Sequence, residues 1–149
     1  MPNEKTVMRW CRVQTPEGAW DLIFGWTIGN DVSERTWQQS DPTNIRAKNC
    51  DSFKPMGPFI LQGRDMRGMR TDVRLNDRQV HSFDTGDMIF DPGVVISEIS
   101  KYNKLSPGDV VWLGTDDKPH NMKIGDVLEI EISGIGLLRN QVVAEAPGR

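Results

Sequence analysis

The sequence predicts a mainly β domain of the α+β class with one or two short helices. Leu128, Ile130 and Ile132 alternate with polar residues, which is typical of a strand with one face turned inward. Nine prolines and fourteen glycines are spread along the chain, and this composition favours many turns between short strands. A length of 149 residues is enough for one domain with a buried core. We therefore expect residues 1–149 to form a single domain.

The first half of the chain alternates between apolar and polar segments. The stretch TPEG has the composition of a turn or of a helix start, and the apolar stretch AWDLIFGWTIGN that follows ends as a strand. Residues 31–40 fit one short helix. The dipeptide DP at residues 41–42 then opens a polar loop that contains IRAKNCDSF, before the proline- and glycine-rich KPMGPFIL.

The centre of the chain predicts a hairpin and a helix. TDVRLNDRQVHSF alternates around Asn76-Asp77, a pair that suits a tight hairpin turn. DPGVVISEISKYN is the best helix candidate, because Val95, Ile99 and Tyr102 follow helical spacing after an early proline.

The last third predicts further strands and turns. LSPGDVVWLG indicates a Pro-Gly turn followed by an apolar strand, and KIGDVLEIEI indicates a Gly-Asp turn followed by another strand. Gly134 and Gly136 indicate a bulge or a sharp bend before the final strand.

Charge and composition narrow the class of protein. The formal net charge of -3 does not favour a nucleic-acid surface. No apolar run approaches the roughly 20 residues of a membrane span, and the N-terminal MPNEKTVMRW lacks the apolar core of a secretory signal. Cys11 and Cys50 are too few for a disulfide framework and lack metal-ligand spacing. We expect a cytoplasmic protein with neither nucleic acid nor membrane as a partner.

Asp31 is the first candidate for a functional residue, because it stands where an apolar strand ends. DVSE matches a capping-box-like pattern, so a helix cap is one interpretation. A metal or substrate ligand is the other. If the following residues are helical, Arg35 and Gln38 lie three apart on one face, where they could hold an anionic ligand beside Asp31.

Other polar residues are ambiguous by themselves. Lys48 lies in a polar loop, where a lysine is usually only solvated, and Cys50 has no histidine partner at a recognised spacing. His81 and His120 form no ligand cluster in the sequence. Thr115 follows a strand-end glycine, where its hydroxyl could donate to a substrate or cap a turn.

Five ordered segments together resemble the catalytic domain of the fumarylacetoacetate hydrolase superfamily. They are NDVSERTWQ, RAKNCDSFKPMGPFI, TGDMIF, LSPGDVVWLGT and GDVLEIEISGIGLLRN, and the resemblance runs from about Trp20 to Glu145. It implies a mixed β-roll fold, commonly dimeric, and leaves residues 1–19 as a divergent or truncated segment. It also implies a metal-dependent enzyme that cleaves, decarboxylates or isomerises a 2-oxo or β-diketo acid.

The resemblance implies a role for each candidate residue. Asp31 corresponds to the third carboxylate of a Mg²⁺ or Mn²⁺ site. Arg35 and Gln38 correspond to substrate-binding positions, Lys48 to the lysine that faces the metal-bound substrate, and Thr115 to the threonine after a strand-end glycine. Mg²⁺ prefers oxygen ligands and leaves room for a chelating substrate, while an ammonium stabilises the enolate charge.

The chain departs from the family pattern at its beginning. The upstream Glu-x-Glu pair of the family, which supplies two more metal ligands, has no clear counterpart, although Glu4 is a weak candidate for the second glutamate. The His/Glu pair that activates water in the family is also missing. A lone Asp31 would bind Mg²⁺ weakly.

Two functions follow from this departure. The first is the metal-dependent hydrolase or lyase on an acylpyruvate-like substrate, working as a homodimer or a hetero-oligomer. The alternative is a non-catalytic subunit that pairs with a full-length homologous partner, which supplies the missing metal ligands and base.

Overall fold

The structure is a computed structural model that describes residues 12–115 and 120–145. The helices in the described residues are α1 (Pro16–Trp20), α2 (Arg35–Gln38), α3 (Ile45–Asn49) and α4 (Pro92–Tyr102). The strands are β1 (Trp26–Gly29), β2 (Met56–Leu61), β3 (Arg70–Leu75), β4 (Arg78–Asp84), β5 (Val127–Ile132) and β6 (Gly136–Gln141). The predicted mainly β class is confirmed. The described part contains more than the one or two helices expected, and three of its four helices are only four or five residues long.

The described residues group into two units by their contacts. One unit comprises residues 12–24 and 88–113, and the other comprises residues 25–87, 114–115 and 120–145. The single domain over 1–149 stays a prediction. Within the described ranges, no helix has both the length and the apolar character needed to cross a bilayer.

The first unit is built on the packing of α1 against α4. The helix predicted in DPGVVISEISKYN is confirmed. Asp91 accepts a hydrogen bond from the Val94 amide at 3.0 Å, and Pro92 occupies the first helical turn. The helices approach closely at Gly93, where an added Cβ would lie 2.5 Å from the carbonyl oxygen of Pro16. A larger residue at Gly93 would push the two helices apart.

The second unit contains a four-stranded antiparallel sheet with the order β4-β3-β5-β6. The predicted hairpin is confirmed, because Asn76 and Asp77 join β3 to β4 with φ angles of 52° and 64°. Two successive left-handed residues are what a type I′ hairpin turn requires. The alternation predicted in β5 is seen in part, since Leu128 is buried and Glu131 is exposed, whereas Glu129, Ile130 and Ile132 are all half-buried.

β1 and β2 form a separate antiparallel pair in the second unit. Their pairing continues past the end of β1. The amide of Asn30 donates to the carbonyl of Pro55 at 3.0 Å, and the amide of Val32 donates to that of Phe53 at 3.2 Å. Asp31, between these two residues, is thereby held beside the segment that leads from α3 into β2.

The structure differs from the sequence predictions at a polar loop, which contains a helix, and at a predicted strand, which does not form. The polar loop contains the helix α3, because the carboxylate of Asp41 accepts hydrogen bonds from two amides of its first turns. The strand predicted within LSPGDVVWLG does not form in residues 110–114, although residues 107–108 form the expected turn. An apolar run after a turn does not by itself specify a strand, because strand pairing depends on residues distant in sequence.

The bend predicted at the end of the chain is confirmed as a tight turn. Residues 133–135 join β5 to β6, and Gly134 has a φ of 85° that favours glycine. The turn brings the two strands into an antiparallel pair over their whole length.

Candidate active site

Asp31 lies two residues after the end of β1 and does not cap a helix. The residue before α2 is Glu34, whose Oε1 accepts a hydrogen bond from the amide of Thr36 at 2.8 Å. The helix predicted over residues 31–40 is therefore shorter, and its first residue is Arg35. The interpretation of Asp31 as a cap is wrong, because the helix begins later and has a cap of its own.

The carboxylate of Asp31 instead binds two lysines. Lys48 Nζ lies 2.5 Å from Asp31 Oδ2, and Lys54 Nζ donates to Asp31 Oδ1. The side chains of Lys48 and Lys54 are 27% and 29% exposed, whereas that of Asp31 is 41% exposed. Each carboxylate oxygen thus has its own ammonium partner at the partly open end of β1.

Local backbone contacts determine where Lys48 lies. The carboxylate of Asp41 accepts from the amides of Arg46 and Ala47 at 2.8 and 3.1 Å, which stabilises the first turn of α3. The carbonyl of Ala47 accepts from the amide of Glu34 at 2.9 Å, and the side chain of Ala47 is fully buried. α3 is therefore tied to the segment after Asp31, and Lys48 is directed toward the carboxylate.

Electrostatics keep Asp31 ionised. Partial burial raises the pKa of Asp31, because a charged carboxylate loses hydration. The hydrogen bonds from Lys48 and Lys54, together with their charges, act in the opposite direction and outweigh burial. The pKa of Asp31 consequently lies below its ordinary value, so the group is a carboxylate at neutral pH.

Arg35 and Gln38 form a neighbouring hydrogen-bonded pair. Arg35 Nη1 donates to Gln38 Oε1 at 2.7 Å, and Gln38 Nε2 donates to Asn44 Oδ1 at 3.0 Å. The predicted proximity of Arg35 and Gln38 on one helical face is seen in α2. Their side-chain hydrogen bonds within the described residues run to each other and to Asn44, and not to Asp31.

The remaining candidates are not brought into this cluster. Thr115 is exposed and precedes residues 116–119, which lie outside the described part, and its hydroxyl has no hydrogen bond there to Asp31 or Lys48. Glu4 also lies outside the described residues. His81 is in β4 and its ring packs at 5.1 Å from that of Phe83. The roles of Asp31, Arg35, Gln38, Lys48 and Thr115 stay predictions.

Sequence reasoning missed two residues that shape the cluster. Lys54 was not singled out, because its side chain reaches Asp31 only once residues 53–55 pair with residues 30–32. Asp41 was predicted to open a polar loop, whereas its side chain also caps α3 across five residues. Lys54 follows Lys48 by six residues in the sequence. This spacing was only a weak signal, because the two lysines reach the same carboxylate only if the chain between them turns back.

The described residues do not by themselves fit a divalent metal site. Among them, no group of three or more histidine, cysteine, aspartate or glutamate side chains could hold a metal ion. Both oxygens of Asp31 face lysine ammonium groups rather than further carboxylates. A Mg²⁺ or Mn²⁺ ion prefers several oxygen ligands, so the described chain offers one carboxylate and two competing cations.

Comparison with known protein families identifies the fold that carries this cluster. The model of the fumarylacetoacetate (FAA) hydrolase C-terminal family matches residues 6–143. The chain belongs to the fumarylacetoacetate hydrolase family. The predicted membership is confirmed, and the Asp31–Lys48 contact lies within the matched residues.

Related proteins of the fumarylacetoacetate hydrolase family are similar over most of this chain. An uncharacterized protein of Methanocaldococcus jannaschii is 38% identical over 135 residues, which are 91% of this chain and 57% of that protein. An oxaloacetate tautomerase of Xenopus laevis, described as mitochondrial, is 32% identical over 85% of this chain and 44% of its own length. The crystal structure of a 2-hydroxyhepta-2,4-diene-1,7-dioate isomerase from Mycobacterium marinum has a TM-score of 0.86 at 38% identity, covering 91% of this chain and 54% of that one.

The chain thus shares the family and the fold of these proteins. The chain spans about half the length of the curated relatives that it matches. Two of the three similar proteins are named as enzymes that act on oxo acids or their enol forms. The predicted class of substrate is therefore that of related enzymes.

Proposed function

We propose that this chain acts on a small 2-oxo or β-diketo acid, in an isomerase, hydrolase or lyase reaction that passes through an enolate. The observation that carries the proposal is the position of Lys48, whose Nζ is held 2.5 Å from Asp31 at the end of β1. The names of the tautomerase and the isomerase above support the class of substrate.

The chemistry of these residues suits such a reaction. Transfer of a proton from the carbon beside a ketone to a base places negative charge on the ketone oxygen. Cleavage of the adjacent C–C bond does the same, with the departing carbonyl group leaving as an acid after attack by water or as carbon dioxide. An ammonium that is already oriented stabilises this charge without reorganising during the reaction. Lys48 is oriented in this way by Asp31 and by the hydrogen bonds of α3. Arg35 and Gln38 would bind the carboxylate of the substrate.

A divalent metal is the part of the family pattern that the described residues do not supply. The resemblance implies Mg²⁺ or Mn²⁺ as a cofactor, but only Asp31 among the described residues corresponds to a ligand. We propose that further carboxylates come from residues outside the described part or from a homologous subunit. The base that accepts the proton would come from the same source, so the roles assigned above to described residues are those of Lys48, Arg35 and Gln38.

Turnover of the full chain tests the proposal. The Lys48→Met variant should convert oxaloacetate between its keto and enol forms, or cleave acylpyruvate, about 100-fold more slowly than the wild type, because one oriented charge is lost. Ultraviolet absorbance of the enol measures both reactions, with and without added Mg²⁺ or Mn²⁺. Lys101→Met is the matched control, since Lys101 is an exposed lysine of α4 that pairs with Glu98.

Equal rates for the wild type and for Lys48→Met would contradict the role of Lys48. Complete lack of turnover by the wild type, with either metal, would contradict an enzyme that works by itself. Turnover by the wild type alone also bears on the alternative function, which is a subunit without activity of its own.

The alternative is a non-catalytic subunit that pairs with a longer homologous protein. The single carboxylate at the described site favours it, since the described residues contain no metal-binding cluster. Mixing the chain with a full-length homologue distinguishes the two functions. A subunit should alter the turnover and the sedimentation of the partner while lacking activity alone. The predicted homodimer or hetero-oligomer is measured in the same sedimentation experiment.

A further inference from the structure

Asn44 stands immediately before α3, at the position where an asparagine usually caps a helix. A capping side chain accepts a hydrogen bond from the amide of the second or third helical residue. In α3 these residues are Arg46 and Ala47, and the carboxylate of Asp41 accepts from both amides, at 2.8 and 3.1 Å. The side chain of Asn44 makes no capping hydrogen bond. Because Asp41 caps the helix, the side chain of Asn44 is available to another partner.

That partner is Gln38 of α2. Gln38 Nε2 donates to Asn44 Oδ1 at 3.0 Å, and Gln38 Oε1 accepts from Arg35 Nη1 at 2.7 Å. A guanidinium can only donate, so Arg35 bonds the oxygen of the Gln38 amide and leaves the nitrogen for Asn44. The orientation of the Gln38 amide is thereby fixed from both sides, by the half-buried Asn44 and by the exposed Arg35.

Asn44 is also bonded to the helix that carries Lys48. The carbonyl of Asn44 accepts from the amide of Lys48 at 3.1 Å. Asn44 therefore connects the Arg35–Gln38 pair on α2 to the backbone of α3. Its φ of 56° lies in the left-handed region, which glycine adopts without a steric cost. The side chain can consequently be removed without straining the backbone.

Arg35 keeps donors for a ligand. Its guanidinium has five N–H groups, and its side chain makes one hydrogen bond within the described residues, from Nη1 to Gln38. No carboxylate of those residues forms an ion pair with it. The remaining N–H groups suit a carboxylate, which can accept two parallel hydrogen bonds from one guanidinium. Holding the guanidinium before the ligand arrives reduces the freedom that is lost on binding.

We propose that Asn44 is a positioning residue for binding the carboxylate of a small 2-oxo acid. It holds the amide of Gln38, which in turn holds Arg35 in the orientation that binds the carboxylate. The proposal rests on the proposed function, because that function assigns carboxylate binding to Arg35 and Gln38. It adds a residue that sequence reasoning did not identify, and it leaves the roles of Asp31 and Lys48 unchanged.

Binding of pyruvate to the full chain tests this role. Pyruvate, a small 2-oxo acid, is titrated in one buffer that contains Mg²⁺, and the NMR signals of the Arg35 Nε–H group and the Gln38 side-chain amide report binding. Asn44→Gly should bind pyruvate about three- to tenfold more weakly, as expected for the loss of one hydrogen bond. Asn49→Ala is the matched control and should keep the wild-type affinity, since Asn49 bonds the carbonyl of Asn44 rather than its side chain.

Two further measurements separate positioning from a general loss of structure. Gln38→Ala removes the group that Asn44 holds, so Asn44→Gly should weaken binding no further in that background. The Gln38 side-chain amide should exchange faster with water in Asn44→Gly than in the wild type. Asn44→Asp keeps an oxygen acceptor and should retain the slow exchange. Amide spectra show whether each variant is folded, and Asn44→Asp decides if Asn44→Gly is not, because fast exchange there would contradict the role of the acceptor.

Unchanged affinity in Asn44→Gly, or an equal further loss in the Gln38→Ala background, would overturn the proposal. Lack of pyruvate binding by the wild type would contradict carboxylate binding by Arg35 and Gln38, and the role of Asn44 with it.

The same titrations separate this proposal from the proposed function. If Gln38→Ala weakens binding and Asn44→Gly does not, only the role of Asn44 fails. If Gln38→Ala leaves the affinity unchanged, the proposed function is contradicted at Gln38 and the role of Asn44 fails as well. The slower turnover expected of Lys48→Met is measured separately and does not depend on Asn44.

Discussion

Single carboxylates organise several loops of this chain through backbone amides. Asp126 accepts a hydrogen bond from Asn76 Nδ2 at 2.9 Å and one from the amide of Lys123 at 2.9 Å. Asn76 Oδ1 in turn accepts from the amide of Val127. Asp126 is buried, so these bonds connect the β3–β4 turn to the start of β5 where water has little access. Asp31 likewise connects two segments of the chain, but its partners are the side chains of Lys48 and Lys54.

Acid should remove the contribution of Asp126 to stability. The hydrogen bonds from Asn76 and from the Lys123 amide hold the pKa of Asp126 below its ordinary value of 3.8. A lowered pKa in the folded state stabilises the protein above the ordinary pKa, and this stabilisation is lost as the pH falls through the lowered pKa. The difference in unfolding free energy between the wild type and Asp126→Asn should therefore shrink below the ordinary pKa.

Urea unfolding from neutral pH to about pH 3 measures this difference. The same substitution made in an Asn76→Ala background is the control, because the main partner of Asp126 is then absent. A difference that stays constant with pH in the wild-type background would contradict the prediction.

At the scale of elements, short local signals determine most of the boundaries. The hairpin between β3 and β4 follows from Asn76-Asp77, and α4 begins at a capping aspartate followed by a proline. α3 could not be predicted in this way, because its capping carboxylate belongs to Asp41 rather than to the residue just before the helix. The prediction of a strand within residues 110–114 was wrong, because strand pairing depends on residues distant in sequence.

Asp77→Gly should stabilise the β3–β4 hairpin. Asp77 has a φ of 64°, in the left-handed region that costs most residues about 1 kcal/mol and costs glycine little. The resulting Asn-Gly pair is the preferred type I′ turn. Urea unfolding should show a gain of about 0.5 to 1 kcal/mol. Asp77→Ala is the matched control and should not stabilise, since alanine keeps the Cβ. A loss of stability in Asp77→Gly would indicate that the aspartate side chain matters more than the backbone.

At the scale of the molecule, the described core is small. Its buried apolar side chains are few, and several large ones are exposed, among them Phe59 and Ile60 of β2. Ile28 of β1 is only 1% exposed and is among the largest fully buried side chains of the described residues. Since β1 leads directly to Asp31, the packing of Ile28 supports both the fold and the candidate site.

Ile28→Ala should be strongly destabilising. Truncating a buried isoleucine typically costs about 2 to 5 kcal/mol, because burial is lost and a cavity remains. Ile124→Ala is the matched control, since Ile124 is 69% exposed and surface substitutions usually change stability by less than about 0.5 kcal/mol. Thermal unfolding compares the two variants. Similar midpoints for both would contradict the importance of β1 in the core.

The sequence by itself determined the mainly β class, the family, the hairpin and the α4 helix. Each of these follows from residues close together in the chain or from several ordered segments taken together. Only the tertiary structure showed that Asp31 is not a cap and that Lys54 joins Lys48 at its carboxylate. That contact depends on pairing between the ends of β1 and the segment before β2, and no local pattern of residues encodes which side chains such pairing brings together.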